Sequence, residues 1–117
     1  LALAKPFVSI PFALGKIAPP AAGTPLRITN NFTDLNQESV SSLFIQALAT
    51  NTNPVYILGQ QAATAKDLAG YSNVIAVLTA GQGIAINGKT GNQATLGNIW
   101  VDPTTSGEGV FASIQEI

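Results

Sequence analysis

The stretch Val40–Leu58, VSSLFIQALATNTNPVYIL, carries the strongest architectural signal in the chain: two apolar, strand-like runs flank a polar cluster of Thr50, Asn51, Thr52, Asn53 and Pro54. In the first run Leu43, Ile45 and Ala47 point one way and Phe44, Gln46 and Leu48 the other; in the second, Val55 and Ile57 oppose Tyr56 and Leu58. Apolar groups on both faces predict interior strands. The short polar spacer predicts that the two runs pair with each other, antiparallel, as a hairpin at the centre of a sheet.

Working outward, the same pattern recurs. Upstream, Pro25 to Asn30 (PLRITN) reads as a first core strand, and Asn30 to Glu38 as a polar connection containing Asn31-Phe32-Thr33, which fits the N-glycosylation pattern but is common by chance. Downstream, the Ala- and Gln-rich segment Gln60 to Gly70 predicts one short helix ended by a glycine cap, with Lys66 and Asp67 in solvent. From Asn73 onward the runs NVIAVLT, IAIN, NIWVD and VFASIQ alternate with turns rich in Gly, Asn and Pro. Runs this short and closely spaced leave no room for the crossover helices of a parallel sheet. At 117 residues the expectation is a single all-β domain: an antiparallel β-sandwich, jelly-roll-like, with one short helix.

Residues Leu1 to Gly23 differ from the rest, holding four of the seven prolines and no Asn, Gln, Asp or Glu. Lys5, Pro6, Pro11 and Lys16 interrupt what would otherwise be the apolar centre of a signal peptide or a membrane span. Leu1 in place of Met points to processing or trimming. Pro6 and Pro11 forbid a continuous helix, which leaves an extended arm with Phe7, Ile10, Phe12, Leu14 and Ile17 as anchors. Such an arm covers its two sides either as an edge strand on its own core or by lying across a neighbouring subunit. The second reading divides the chain into an arm and linker, 1–24, and a sandwich domain, 25–117, and makes those five residues a partner interface.

Charged residues make up 9% of the chain, against about 25% in an average domain. A surface this neutral is either coated with Thr, Ser, Asn and Gln or largely covered by partners; the second reading is preferred and makes the chain a homo-oligomer. Net charge is −1, and Lys5, Lys16, Arg27, Lys66 and Lys89 are scattered, which argues against a nucleic-acid partner. There is no Cys and no His, so thiolate and imidazole metal sites and His acid/base catalysis are excluded.

Individual motifs give little chemistry. Gly83-Ile84-Ala85-Ile86-Asn87-Gly88-Lys89-Thr90 fits the phosphate-loop pattern, but its interior alternates like a strand and Gly91, Asn92, Gln93 and Gly97 do not support the helix that must follow. Asp102 and Glu108 could pair as glycosidase carboxylates; a turn-forming Asp before Pro103 and an exposed Glu in a glycine loop account for them more simply. Asp34, Asn36 and Glu38 alternate as oxygen donors but lack the glycine and bidentate closure of a calcium loop. Trp100, with Tyr56 and Tyr71, could form a sugar-stacking platform; a single aromatic on a strand is more often packing. No catalytic, cofactor or metal residues are therefore assigned.

The succession of a strand ending FIQA, an Asn/Thr loop, a PVYI strand, LTAGQGIAI, GNIWVDPTTSGEGV and a final strand resembles the small β-sandwich structural proteins of tailed bacteriophages, of the capsid decoration (cement) or head-fibre-base type. The resemblance covers Val40 to Ile114 and rests on strands and turns; the segment 60–70 and the N-terminal arm depart from it. It implies a non-enzymatic virion protein that binds the capsid lattice as an oligomer, with the major capsid protein or another virion protein as partner and neither cofactor nor membrane. A carbohydrate-binding β-sandwich module of a surface or fibre protein is the alternative.

Overall fold

Among the described residues strands form where short apolar runs lie between turns, and in several of them buried and more exposed side chains alternate. A computed structural model describes residues 12–59, 74–87 and 94–116; among them are ten strands, two 3₁₀ turns and no α-helix. The helix expected at 60–70 lies outside the described residues, as do Phe7 and Ile10. The strands are β1 (Phe12–Ile17), β2 (Leu26–Arg27), β3 (Ser39–Val40), β4 (Ser42–Ala47), β5 (Val55–Gly59), β6 (Val74–Leu78), β7 (Gly83–Asn87), β8 (Ala94–Thr95), β9 (Ile99–Pro103) and β10 (Val110–Glu116).

They form two four-stranded sheets, in the orders β1-β10-β4-β7 and β2-β9-β5-β6, and a small β3-β8 pair. The pairing is nested: first strand with last, second with second-last, and so inward to β5 with β6, every pair antiparallel. The described strands therefore form one long two-stranded ribbon. It is wrapped so that β10 also meets β4 and β9 also meets β5, and those two contacts complete the sheets.

The two runs within Val40–Leu58 do not pair with each other, contrary to the hairpin expected from them. β4 lies between β10 and β7 in one sheet, and β5 between β9 and β6 in the other. The spacer between them crosses from sheet to sheet, with Leu48 and Asn51 buried along it. Alternation is a local property that marks which side chains go inward; it carries no information about which strand lies alongside. The inward set is as expected: Leu43, Ile45 and Ala47 from β4 meet Val55 and Ile57 from β5 in one core shared with Val101, Val110 and Ile114. Burying each such large aliphatic side chain stabilises the fold by about 1.5–3 kcal/mol before entropy is counted.

β1 belongs to this core. Its register with β10 slips between Ala13 and Gly15, where Gly15 takes φ +85°, a conformation other residues adopt only at a cost. The extra residue switches the inward positions from even to odd, so Phe12 and Leu14 before it and Ile17 after it all face the same layer. On the free edge of β1 the Asn31 side chain donates Nδ2 to the carbonyls of Leu14 (3.1 Å) and Lys16 (3.0 Å). That nitrogen, the one a glycan would take, is engaged in holding the strand.

The described part of the expected arm therefore corrects the subunit-bridging reading. Leu14 and Ile17 are 0% and 1% exposed in their own core, and Phe12 packs edge-to-face on Phe32 with centroids 5.3 Å apart. β10 supplies the backbone partner and the second sheet supplies the apolar cover, both from the same chain. β1 shares a sheet with β4, β7 and β10, so residues 12–17 are an integral strand of the fold and not a segment apart from it.

Candidate functional site

β2 is only two residues long, shorter than the expected strand Pro25 to Asn30, because the chain turns at once: Asn30 N donates to Arg27 O (3.0 Å) and Phe32 N to Thr29 O (2.8 Å). Leu26 pairs with Val101 and packs on the core, which puts the neighbouring pair, Arg27 and Trp100, on the outer face of the sheet. The guanidinium carbon stands 4.8 Å from the centroid of the Trp100 ring, a cation–π contact worth about 0.5–1 kcal/mol at a surface. Arg27 Nε also donates to the Gly97 carbonyl (3.1 Å).

Gly97 sits in the 3₁₀ turn Leu96–Asn98, and its N–H donates to Asn36 O (2.9 Å). A Cβ at this position would collide with that same Asn36 carbonyl, so the close approach needs glycine. Thr29 Oγ1 in turn donates to Asn36 Oδ1. These contacts fix a shallow hollow of about 170 Å³ in which Thr29, Asn30, Thr33 and Asn36 surround Arg27 and Trp100. A second hollow of about 350 Å³ adjoins it at Arg27 and Asn36 and adds Gln37, Thr95 and Asn98. Among the described residues Arg27 is the only charged side chain lining either one.

Of the aromatic residues considered for sugar stacking, Tyr56 pairs with Asp102 and so lies diagonal to Trp100 on the same outer face. The Arg27 guanidinium covers one face of the Trp100 ring, and Tyr71 lies outside the described residues. Arg27 itself was not singled out by the sequence. It reads there as one more scattered cation, because its partner Trp100 is brought beside it only by the pairing of β2 with β9.

The carboxylates hold loops. Asp102, expected as a turn residue, lies instead within β9, is fully buried, and accepts the Gly23 N–H at 2.9 Å. Glu108 Oε2 accepts from Thr52 N and Thr52 Oγ1, both at 2.8 Å, and Oε1 from Asn53 N at 3.3 Å. Desolvation acts to raise the Glu108 pKa, and the hydrogen bonds from Thr52 and Asn53 outweigh it, leaving the group below its ordinary 4.5. Gly83–Asn87, inside the phosphate-loop pattern, is strand β7 paired with β4; Lys89 and Thr90 are outside the described residues. Asn36, one of the three alternating oxygen donors, is bound to Thr29. Among the described residues no group of three or more His, Cys, Asp or Glu could hold a metal, and no helix is long and apolar enough to cross a membrane.

Apolar surface is concentrated on β6, where Val74, Ile75 and Val77 are 37%, 48% and 48% exposed, and at Phe111, 53% exposed. β6 ends the sheet order and carries neither charge nor proline, the usual protections of an edge. Phe111 stands on the outer face of the other sheet between Lys16 and Gln46. In the sequence NVIAVLT looks like any core strand, so its exposure could not be read there.

No family model, curated protein or solved structure matches the chain.

Proposed function

We propose that this chain is a non-enzymatic structural protein of a virion, a jelly-roll β-sandwich that binds a capsid lattice as an oligomer and reinforces it. The observation that carries the reading is the exposed apolar strand β6, the last of its sheet among the described residues, which favours strand-to-strand or face-to-face contact with another copy or with a capsid subunit. The nested pairing supports the jelly-roll form, since rolling one long antiparallel ribbon is what produces that arrangement. Jelly rolls serve both capsids and lectins, so the fold supports the class by analogy and the edge supplies the physical argument. Of the anchors expected from the sequence, Phe7 and Ile10 keep the role of partner contacts in this proposal. Purified chain mixed with native phage particles should co-sediment and appear as regular extra density by electron microscopy. Failure to bind any particle type while the chain stays monomeric would overturn the proposal.

A second reading, carbohydrate binding as a module of a surface or fibre protein, is favoured by the Arg27–Trp100 pair beside two polar hollows. A glycan array probed with the wild-type chain and with Trp100→Ala tests it; a signal that survives the substitution, or no signal at all, would count against it.

A further inference from the structure

From the Arg27–Trp100 hollow we infer a site for a carboxylate-bearing saccharide, a hexuronate unit whose carboxylate is received by Arg27; the inference rests on the carbohydrate-binding reading and deepens it. A guanidinium carries five N–H donors in a rigid planar fork. Here one of them, Nε, is spent on the Gly97 carbonyl and the Trp100 ring holds the group from one side. The side chain is ordered before any ligand arrives, so less rotamer entropy is lost on binding. Among the described residues its terminal amino groups belong to a wall containing no carboxylate: the accessible polar lining is hydroxyl and carboxamide, from Asn30, Thr33 and Asn36 and, in the adjoining hollow, Gln37 and Asn98, while Thr29 is buried behind them and donates to Asn36.

One fixed cation among neutral donors and acceptors selects a ligand that is anionic at one point and hydroxyl-rich elsewhere. The fork geometry matches a carboxylate with two parallel hydrogen bonds. Phosphate sites draw on clustered cations or the N-terminus of a long helix; among the described residues these hollows have one cation and only three-residue 3₁₀ turns, so a single negative charge is the better match. Carboxamides and hydroxyls then bind ring hydroxyls, each able both to donate and to accept.

Trp100 is the only tryptophan, so its fluorescence reports from the site directly. The full chain is titrated at constant ionic strength with glucuronate, glucose and acetate. Glucuronate is expected to shift the emission with half-saturation at least about tenfold lower than glucose or acetate, a free-energy preference of about 1.4 kcal/mol. Arg27→Gln should abolish the preference, and Arg27→Lys, which keeps the charge and loses the fork, should reduce it. Equal response to glucuronate and glucose would overturn the inference and leave carbohydrate binding standing. Equal response to acetate would overturn the saccharide, and no response to any of the three up to about 50 mM would overturn both readings. The wild-type comparison decides among these without relying on the stability of either variant.

Discussion

Asn51 and Gly109 exchange two hydrogen bonds: the Asn51 side chain donates Nδ2 to the Gly109 carbonyl at 2.9 Å, and the Gly109 N–H donates back to Asn51 Oδ1 at 3.3 Å. The carboxamide thus takes the place of a neighbouring strand's peptide group. It ties the β4-to-β5 crossing to the residue before β10, so a side chain in one connection completes the backbone bonding of another. Asn51 is only 7% exposed, which limits water's ability to substitute for either bond.

Asn51→Ala should therefore destabilise the fold by about 1–3 kcal/mol, since it leaves the buried Gly109 N–H without its acceptor, while the Gly109 carbonyl keeps the bond from Leu48 N (3.1 Å). Urea unfolding should show a lower midpoint at unchanged slope. Asn51→Asp sharpens the test: ionised, it faces the Gly109 carbonyl with a second acceptor, and protonation restores a donor. Its deficit relative to wild type should shrink as pH falls toward 4. A deficit independent of pH would mean that the Nδ2 bond contributes nothing.

Gly109 is constrained by space, not by backbone angle. A Cβ there would enter the carbonyl of Ile17 and the Cα of Ala18, both main-chain atoms at the end of β1. Gly107, two residues earlier, is the opposite case: φ is +85° and nothing lies within 4 Å of an added Cβ. Gly109→Ala should cost about 3 kcal/mol, the upper end of the range for overpacking, and Gly107→Ala about 1–2 kcal/mol from the left-handed conformation alone. Thermal melts of the two variants should rank in that order.

What could be read from the sequence follows from how local each feature is. The inward positions of β4, Leu43, Ile45 and Ala47, were legible because a period of two needs only neighbouring residues. The partner of β4 was not, because β10 comes from the far end of the chain and either arrangement buries the same residues. Phe12, Leu14 and Ile17 break strict alternation, and only the bulge at Gly15 explains how all three face inward. The Arg27–Trp100 site stayed hidden for the same reason as the burial of Asp102: each depends on a contact, with Gly97 or with Gly23, that exists only after the ribbon is rolled.

Glu108 gives a pH dependence with a definite sign. Its pKa in the folded chain is lowered from 4.5 by the bonds from Thr52 and Asn53, against desolvation. The stability it contributes is therefore fully present above 4.5 and is lost as pH falls through the lowered folded value, where the carboxylate takes up its proton. Glu108→Gln removes this contribution, so wild type and variant should differ most near neutral pH and converge in acid. Urea midpoints measured from pH 7 down to pH 2 check it; curves that stay parallel would show that the three hydrogen bonds do not discriminate between charged and neutral forms.

The edge at β6 yields the prediction closest to function. Ile75 and Val77 point outward next to Tyr56, which pairs with Val77, and both are 48% exposed on a strand that, among the described residues, has no partner beyond it in the sheet order. If that surface is covered by another copy, burying these two side chains contributes most of the contact, up to about 1.5–3 kcal/mol each. The wild-type chain should then self-associate reversibly in sedimentation velocity. Ile75→Lys with Val77→Lys should weaken association by at least about tenfold and leave the urea midpoint nearly unchanged, since exposed positions contribute little to the monomer's stability. Association unaffected by the two lysines would move the interface elsewhere, to the outer face around Phe111, where Phe111→Lys provides the corresponding test.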